Sequence, residues 1–408
     1  MRYLDFDLSI ERSGVGYRAK VLNSPSGQAG HEFSSPFSEQ EMEIFFLRIG
    51  RPRRGTRRIG SPEMNAVKAF GKRLFDTVFG GDIRACLRSS MDEADRLDSG
   101  LRLRLRLSNV PELADLPWEY LHNSSLNRFL SLSSDTPVVR FLDLPERVRP
   151  FTIRPPIRIL VMISSPGNYP VLEVEEEWGR LEEAVSDLIS QGKVKLDRLE
   201  SATLQCLQRR LRQSECHILH FIGHGGFDSQ TEDGLIVLED QFGRGSQVSG
   251  QYLGTLLHDH RPLRIVVLNS CEGARNGTVD PFSGLAQGLV QQGIPAVIAM
   301  QFEITDNAAI AFSHEFYLAI SDGFPIDAAM SEARKAIFAQ GNDVEWGTPV
   351  LYLRAPDGQV FNLEKRAEAE HPQTELGSST RRDQEAEQAA MAEEQKRRDQ
   401  EAEQARMA

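Results

Sequence analysis

Two residues able to do acyl-transfer chemistry each stand just behind a run of apolar residues. His224 follows the run in HILHFIGHGG (217–226), and Cys271 follows the run in RIVVLNSCEG (264–273). A free thiol has a pKa of about 8.5, so only a few per cent is thiolate at neutral pH. An imidazole within reach takes the proton and leaves a nucleophile that can attack a carbonyl carbon. The attack puts charge on the carbonyl oxygen, which backbone N–H donors then stabilise. The N–H groups of Gly225 and Cys271 are the candidates for that oxyanion hole. Glycine at 225 also lets the backbone approach a substrate closely.

The apolar runs define what must hold these residues. Short stretches rich in Val, Ile, Leu and Phe, ended by Gly, Ser or Asn, read as buried strands of a parallel sheet. Chemistry in open parallel sheets sits at the carboxyl ends of strands. His224 and Cys271 are thus expected to leave the sheet at one functional edge. Cys271 follows His224 by 47 positions, which is room for one crossover. A caspase-type arrangement places its histidine roughly 50 residues before its cysteine.

Residues 1–150 read as an α+β region. Alternation predicts half-buried strands at 4–10 and 17–21, with helices at 39–49 and 65–79. Leu101-Arg102-Leu103-Arg104-Leu105-Arg106-Leu107 has the cleanest period of two, predicting leucines toward a core and arginines toward solvent. A proline-marked junction follows at 149–156. Beyond it, strands are expected at 157–163, 217–223, 235–238, 264–270, 296–300 and 349–353. Helices are expected at 172–191, 203–213, 249–258, 283–292, 306–321 and 325–340. Such alternation argues for a mostly parallel sheet with helices on both faces. The expected divisions are 1–150, 151–363 and a charged tail from 364. In that tail RRDQEAEQ at 381–388 recurs at 397–404. From 381 onward its only apolar residues are Ala and Met, so that stretch can be helical or disordered but cannot bury a core. It is expected to be a linker toward a further module.

Composition narrows the function classes. The 408 residues are 40% hydrophobic and 26% charged, with a formal net charge of −12. That acidity argues against general nucleic-acid binding. The basic loop RPRRGTRR (51–58) reads as exposed, with an acidic partner, nucleic acid or a processing site as the other readings. Cys86, Cys206, Cys216 and Cys271 show no disulfide framework and no zinc spacing. His217 and His220 sit in a strand-like run and point to opposite faces, so no metal site is expected. Neither a Gly-x-Ser-x-Gly elbow nor a phosphate-binding Gly-x4-Gly-Lys loop is present. A serine hydrolase or a nucleotide-binding protein is therefore not expected, and neither is a cofactor. A free thiol, an acidic amino terminus and no long apolar run fit a cytoplasmic protein off the membrane. Asp280 opens a turn after Cys271 and is a candidate for gripping a substrate side chain, and is equally placed to cap the next helix or to hold the cysteine loop. Glu303 and Asp306 are weaker candidates for the same pocket.

The wording around the pair resembles the CHAT domain, a branch of the caspase-like (clan CD) cysteine peptidases. The resemblance runs through 217–228, 264–275, 280–300, 343–358 and the block at 101–121. It implies a caspase-like three-layer α/β/α sandwich with a mostly parallel sheet, preceded by the smaller α+β region. The family's Gly-His-Gly and Ser-Cys fall on Gly223-His224-Gly225 and Ser270-Cys271. They imply a His–Cys dyad and an endopeptidase acting on a protein or peptide substrate. In this clan a backbone carbonyl often orients the histidine, and the sequence names no side chain for that role. The resemblance also suggests control by a regulatory protein or a fused sensor module, in bacterial signalling, defence or cell death. The competing reading is a non-catalytic caspase-like interaction module.

Overall fold

The computed structural model describes residues 1–49, 61–228, 233–270, 282–364, 390–398 and 400. The basic loop, Cys271 and Asp280 lie outside the described residues. Met1–Glu364 form one compact unit and Lys365–Ala408 a second. In the second, residues 390–398 are helical and exposed. None of the described helices is long and apolar enough to cross a membrane.

The chain opens with an antiparallel meander, β1 (Tyr3–Ser13), β2 (Gly16–Asn23) and β3 (Ala29–Phe33). Helices α1 (Glu39–Ile49), α2 (Pro62–Val78) and α3 (Gly81–Arg96) follow. Proline at the first position of α2 and a Ser61 hydroxyl accepting from Met64 N–H mark its start. Then β4 (Gly100–Arg106) returns parallel to β1. A short helix α4 (Pro111–Ala114), the small pair β5 (His122–Asn123) and β6 (Arg128–Phe129), and β7 (Val138–Phe141) complete this half. Strand β8 (Phe151–Ile153) lies at the proline junction, outside the main sheet.

The second half begins with β9 (Ile157–Ile163), α5 (Val174–Ala184), α6 (Ser186–Ser190), β10 (Val194–Arg198) and α7 (Leu204–Gln213). The helix expected over 172–191 is thus two helices, divided at Val185, which leaves helical geometry and buries its side chain completely. The histidine strand is β11 (Ile218–Gly223). A three-stranded flap follows, built of β12 (Gly225–Asp228), β13 (Asp233–Glu239) and β14 (Gly245–Ser249). Next come α8 (Gly250–Leu257), the cysteine-side strand β15 (Ile265–Ser270), α9 (Ser283–Gln291) and β16 (Ala296–Met300). The chain closes through α10 (Asp306–Ser321), α11 (Ile326–Ala339), β17 (Pro349–Leu353) and β18 (Phe361–Leu363), which pairs with β8.

The main sheet runs β10-β9-β11-β15-β16-β17-β7-β4-β1-β2-β3. It is parallel from β10 to β16 and again from β17 to β1, with an antiparallel step at β16–β17. One sheet therefore carries strands from both sides of the proline junction. Successive strand residues serve opposite faces. Ile218, Ile222, Ile265 and Val267 join the core under α5, α10 and α11, while Leu219, Phe221, Val266 and Leu268 join the core under α7, α8 and α9. Both faces are covered, as continuous apolar strands require.

One expectation is overturned. The arginines of β4 do not face solvent: Arg102 is 2% and Arg104 7% exposed. Asp5 stands in register with Arg102 and Asp7 with Arg104 on β1. Arg102 contacts Asp5 at 3.1 Å and also pairs with Asp327 of α11. Arg104 contacts Asp7 at 3.3 Å. The carboxylates of the neighbouring strand and helix, with backbone carbonyls at Pro356 and Asp357, satisfy guanidinium groups that burial would otherwise penalise.

Candidate active site

Strands β11 and β15 are adjacent and parallel, and their last register pair is Gly223 with Ser270. The residue after Gly223 is His224, and the residue after Ser270 is Cys271. His224 is described; Cys271 and Asp280 are not, so the geometry that follows is that of the histidine side.

His224 is 2% exposed. Its ring Nε2 lies 2.8 Å from the Pro170 carbonyl oxygen. A carbonyl oxygen only accepts, so Nε2 carries the proton and Nδ1 keeps its lone pair in the neutral ring. The Tyr169 ring packs on the imidazole with centroids 5.5 Å apart. Pro170 and Tyr169 belong to the segment between β9 and α5, which several bonds fix in place. Ser164 N–H donates to Ile222 O and its hydroxyl to Val237 O. Ser165 N–H donates to Glu239 Oε1 at 3.1 Å, and Leu172 N–H to the Ser165 hydroxyl at 3.0 Å. Gly167 N–H reaches Gly243 O at the β13–β14 turn, where Gly245 N–H donates to Asn168 Oδ1. Sequence reasoning missed Pro170, because its contribution is a main-chain oxygen.

Gly225 opens β12. Val237 N–H donates to His224 O at 3.0 Å, the bond that flanks the first pair of the antiparallel ladder. That pair, Gly225 with Ile236, is then of the non-bonded kind, and the Gly225 N–H points away from β13. A Cβ at 225 would come within 2.6 Å of the Phe282 ring, so the backbone sits closer to that ring than any other residue allows.

The other histidines of the strand have separate partners. His217 Nδ1 accepts from Arg158 N–H at 3.0 Å, and His220 Nδ1 lies 2.6 Å from the Tyr317 hydroxyl. Burial pushes both down to about 4, so both are neutral at pH 7. Cys216 stands at the amino end of β11, and burial pushes its thiol up to about 12, which leaves it unreactive.

The segment after β16 divides its roles. Gln301 turns inward, donating to Glu119 Oε2 at 3.0 Å and Gly347 O at 2.7 Å. Glu119 in turn holds Arg140 of β7, and Arg140 reaches the Tyr352 hydroxyl. Thr305 is held by Glu345 through both its N–H and its hydroxyl. Asp306 opens α10 and pairs with Arg180 of α5 at 3.1 Å. Glu303 lies between them.

The CHAT domain family model matches residues 68–374. No curated protein matches the chain. Among solved structures, the Saccharomyces cerevisiae separase–securin complex is similar at 13% identity and a TM-score of 0.45. That match covers 86% of this chain and 30% of the separase chain. The Arg-specific cysteine proteinase gingipain R is similar at 10% identity and a TM-score of 0.37, covering 73% of this chain and 68% of that one. The complex of Porphyromonas gingivalis RgpB pro- and mature domains is similar at 13% identity and a TM-score of 0.40, covering 79% and 77%.

Proposed function

The chain belongs to the CHAT domain family, and from that premise we propose that it is a cysteine endopeptidase working through His224 and Cys271. His224 Nδ1 takes the thiol proton. The thiolate sulfur attacks the scissile carbonyl carbon, and the N–H groups of Gly225 and Cys271 hold the resulting oxyanion. Collapse breaks the C–N bond; the imidazolium gives its proton to the leaving amine, and a thioester remains. Water then attacks the thioester with His224 again as base, releasing the carboxylic acid and restoring the thiol. The Pro170 carbonyl fixes which ring nitrogen is the base, and Asp280 is proposed to contact the substrate side chain.

One observation carries this reading: β11 and β15 are neighbours whose register ends at Gly223 and Ser270, one residue before each proposed catalytic group. The Gly225 N–H, turned away from its ladder, agrees with it. Protein or peptide substrates, and control by a partner or fused module, follow by family analogy.

Digestion of a complex peptide library by the full chain, read by mass spectrometry beside Cys271→Ala, tests the proposal. Cuts made only by the unmutated chain are expected. An effect in cells that survives Cys271→Ala, together with no cuts, would instead favour the interaction module.

A further inference from the structure

The Pro170 carbonyl holds the His224 ring at one atom, Nε2. One hydrogen bond fixes a point and leaves the plane of the imidazole to be set by other contacts. A reacting side chain keeps its geometry only when its neighbours lock its rotamer. The Tyr169 ring supplies such a contact. Its centroid lies 5.5 Å from that of the imidazole, with the planes 34° from parallel. Rings at this separation attract each other. The tyrosine hydroxyl adds little, since it reaches Gln247 Nε2 only at 3.5 Å, at the surface.

One edge of the Tyr169 ring rests on bare backbone. A Cβ at Gly245, the first residue of β14, would lie 2.3 Å from Tyr169 Cε2 and 2.8 Å from Cδ2. Two hydrogen bonds tie the strand to the segment that carries the tyrosine. Gly245 N–H donates to Asn168 Oδ1 at 2.6 Å, and Gly167 N–H to Gly243 O at 2.9 Å. The β13–β14 turn has its own brace. Asp240 Oδ1 accepts from Phe242 N–H at 2.8 Å and from Arg244 N–H at 2.9 Å. Gly243 takes a φ of +72°, which glycine adopts without strain. Turn, tyrosine and imidazole thus make one continuous run of contacts.

We infer that Tyr169 is a positioning residue: its ring holds the His224 imidazole on the Pro170 carbonyl, and Gly245 sets where that ring lies. A shift of the β13–β14 turn therefore reaches the proposed general base through a single side chain. Calling this control of catalysis rests on the peptidase reading; the coupling of the turn to the imidazole does not. The role needs a flat ring at 169 and no hydroxyl. It also needs a residue without a Cβ at 245. The groups that a Cβ there would crowd, the Tyr169 ring and Val237 Cγ1 at 2.9 Å, are ends of side chains. Gly245→Ala is therefore expected to displace the ring and leave the backbone in place.

The test is NMR of the full chain with isotope-labelled histidine, carrying Cys271→Ala so that it cannot cut itself. The His224 signals are those that vanish when His224→Gln is added. The parent should show a His224 Nε2–H proton in slow exchange with water, because that proton is bonded and its side chain buried. Tyr169→Phe should keep the signal and Tyr169→Leu should lose it to exchange. Gly245→Ala should lose it too, although residue 245 makes no hydrogen bond to the imidazole. Adding Gly245→Ala to Tyr169→Leu should change the His224 signals no further. A slow Nε2–H that survives Tyr169→Leu or Gly245→Ala overturns the proposal, and so does its loss in Tyr169→Phe or its absence from the parent. No cleavage is read, so failure here leaves the peptidase reading standing, and a chain that never cuts can still pass.

Discussion

At Gly225 a single hydrogen atom in place of a side chain lets the backbone pack against a ring, at the residue proposed to donate to the oxyanion. The Phe282 ring occupies the space a Cβ would need, at 2.6 Å. Gly225→Ala should cost about 1–3 kcal/mol, the usual range for overpacking a tight interior. In a Phe282→Leu background the same change should cost less than half as much, because the smaller side chain yields the space. Urea unfolding of the four proteins measures this coupling, and an equal cost in both backgrounds would sink the explanation. The strand-end positions of His224 and Gly225 were legible because a buried apolar run ended by glycine is a sequence property. The orienting Pro170 carbonyl was not, since any residue supplies a main-chain oxygen. Nor was the pairing of Asp306 with Arg180, which forms only when α5 and α10 pack together.

Among elements, β4 marks the limit of periodicity. Alternation says which residues share a face, and it does so correctly: Leu101, Leu103 and Leu105 are all buried in one core. It does not say whether the other face meets water. The missing information lay in β1, where Asp5 and Asp7 alternate with apolar residues in the register that sets them opposite Arg102 and Arg104. Helix α3 went unread for a related reason, because its buried stripe includes Cys86, Ser90 and Ala94, which carry little apolar signal. The charge network makes a sharp prediction. Arg102→Met leaves the fully buried Asp327 side chain without its guanidinium. Removing one partner of a buried pair costs about 3–5 kcal/mol. Arg102→Met with Asp327→Asn should recover a large part of the loss in urea unfolding. No recovery would mean that the arginine acts through packing on Tyr3, over which it sits at 4.8 Å, and not through charge.

At the scale of the molecule, the α/β alternation after residue 150 and its mostly parallel sheet could be anticipated, whereas the strand order and the junction between the two halves could not. It depends on β17 pairing with β7, with Tyr352 opposite Arg140, a contact between residues 212 apart. Local pattern carries no trace of a pairing that distant. The consequence is that the halves share one sheet and one buried polar network. Gln301, at the end of β16, donates to Glu119, and Glu119 holds Arg140, all three buried. A chain restricted to residues 151–408 would therefore expose the β17 edge along its length and leave Gln301 and Tyr352 without Glu119 and Arg140. Exposed apolar strand edges recruit other chains, and unpaired buried polar groups destabilise. That fragment should be aggregated or lack a cooperative thermal transition. Residues 1–364, which keep the whole sheet and both cores, should unfold cooperatively within about 2–4 °C of the full chain, the shift that about 1 kcal/mol produces at this size or somewhat below it. Calorimetry on the two fragments decides it. A cooperative transition in 151–408 would mean that the second half carries its own stability, and that the shared sheet records packing between two separable folds.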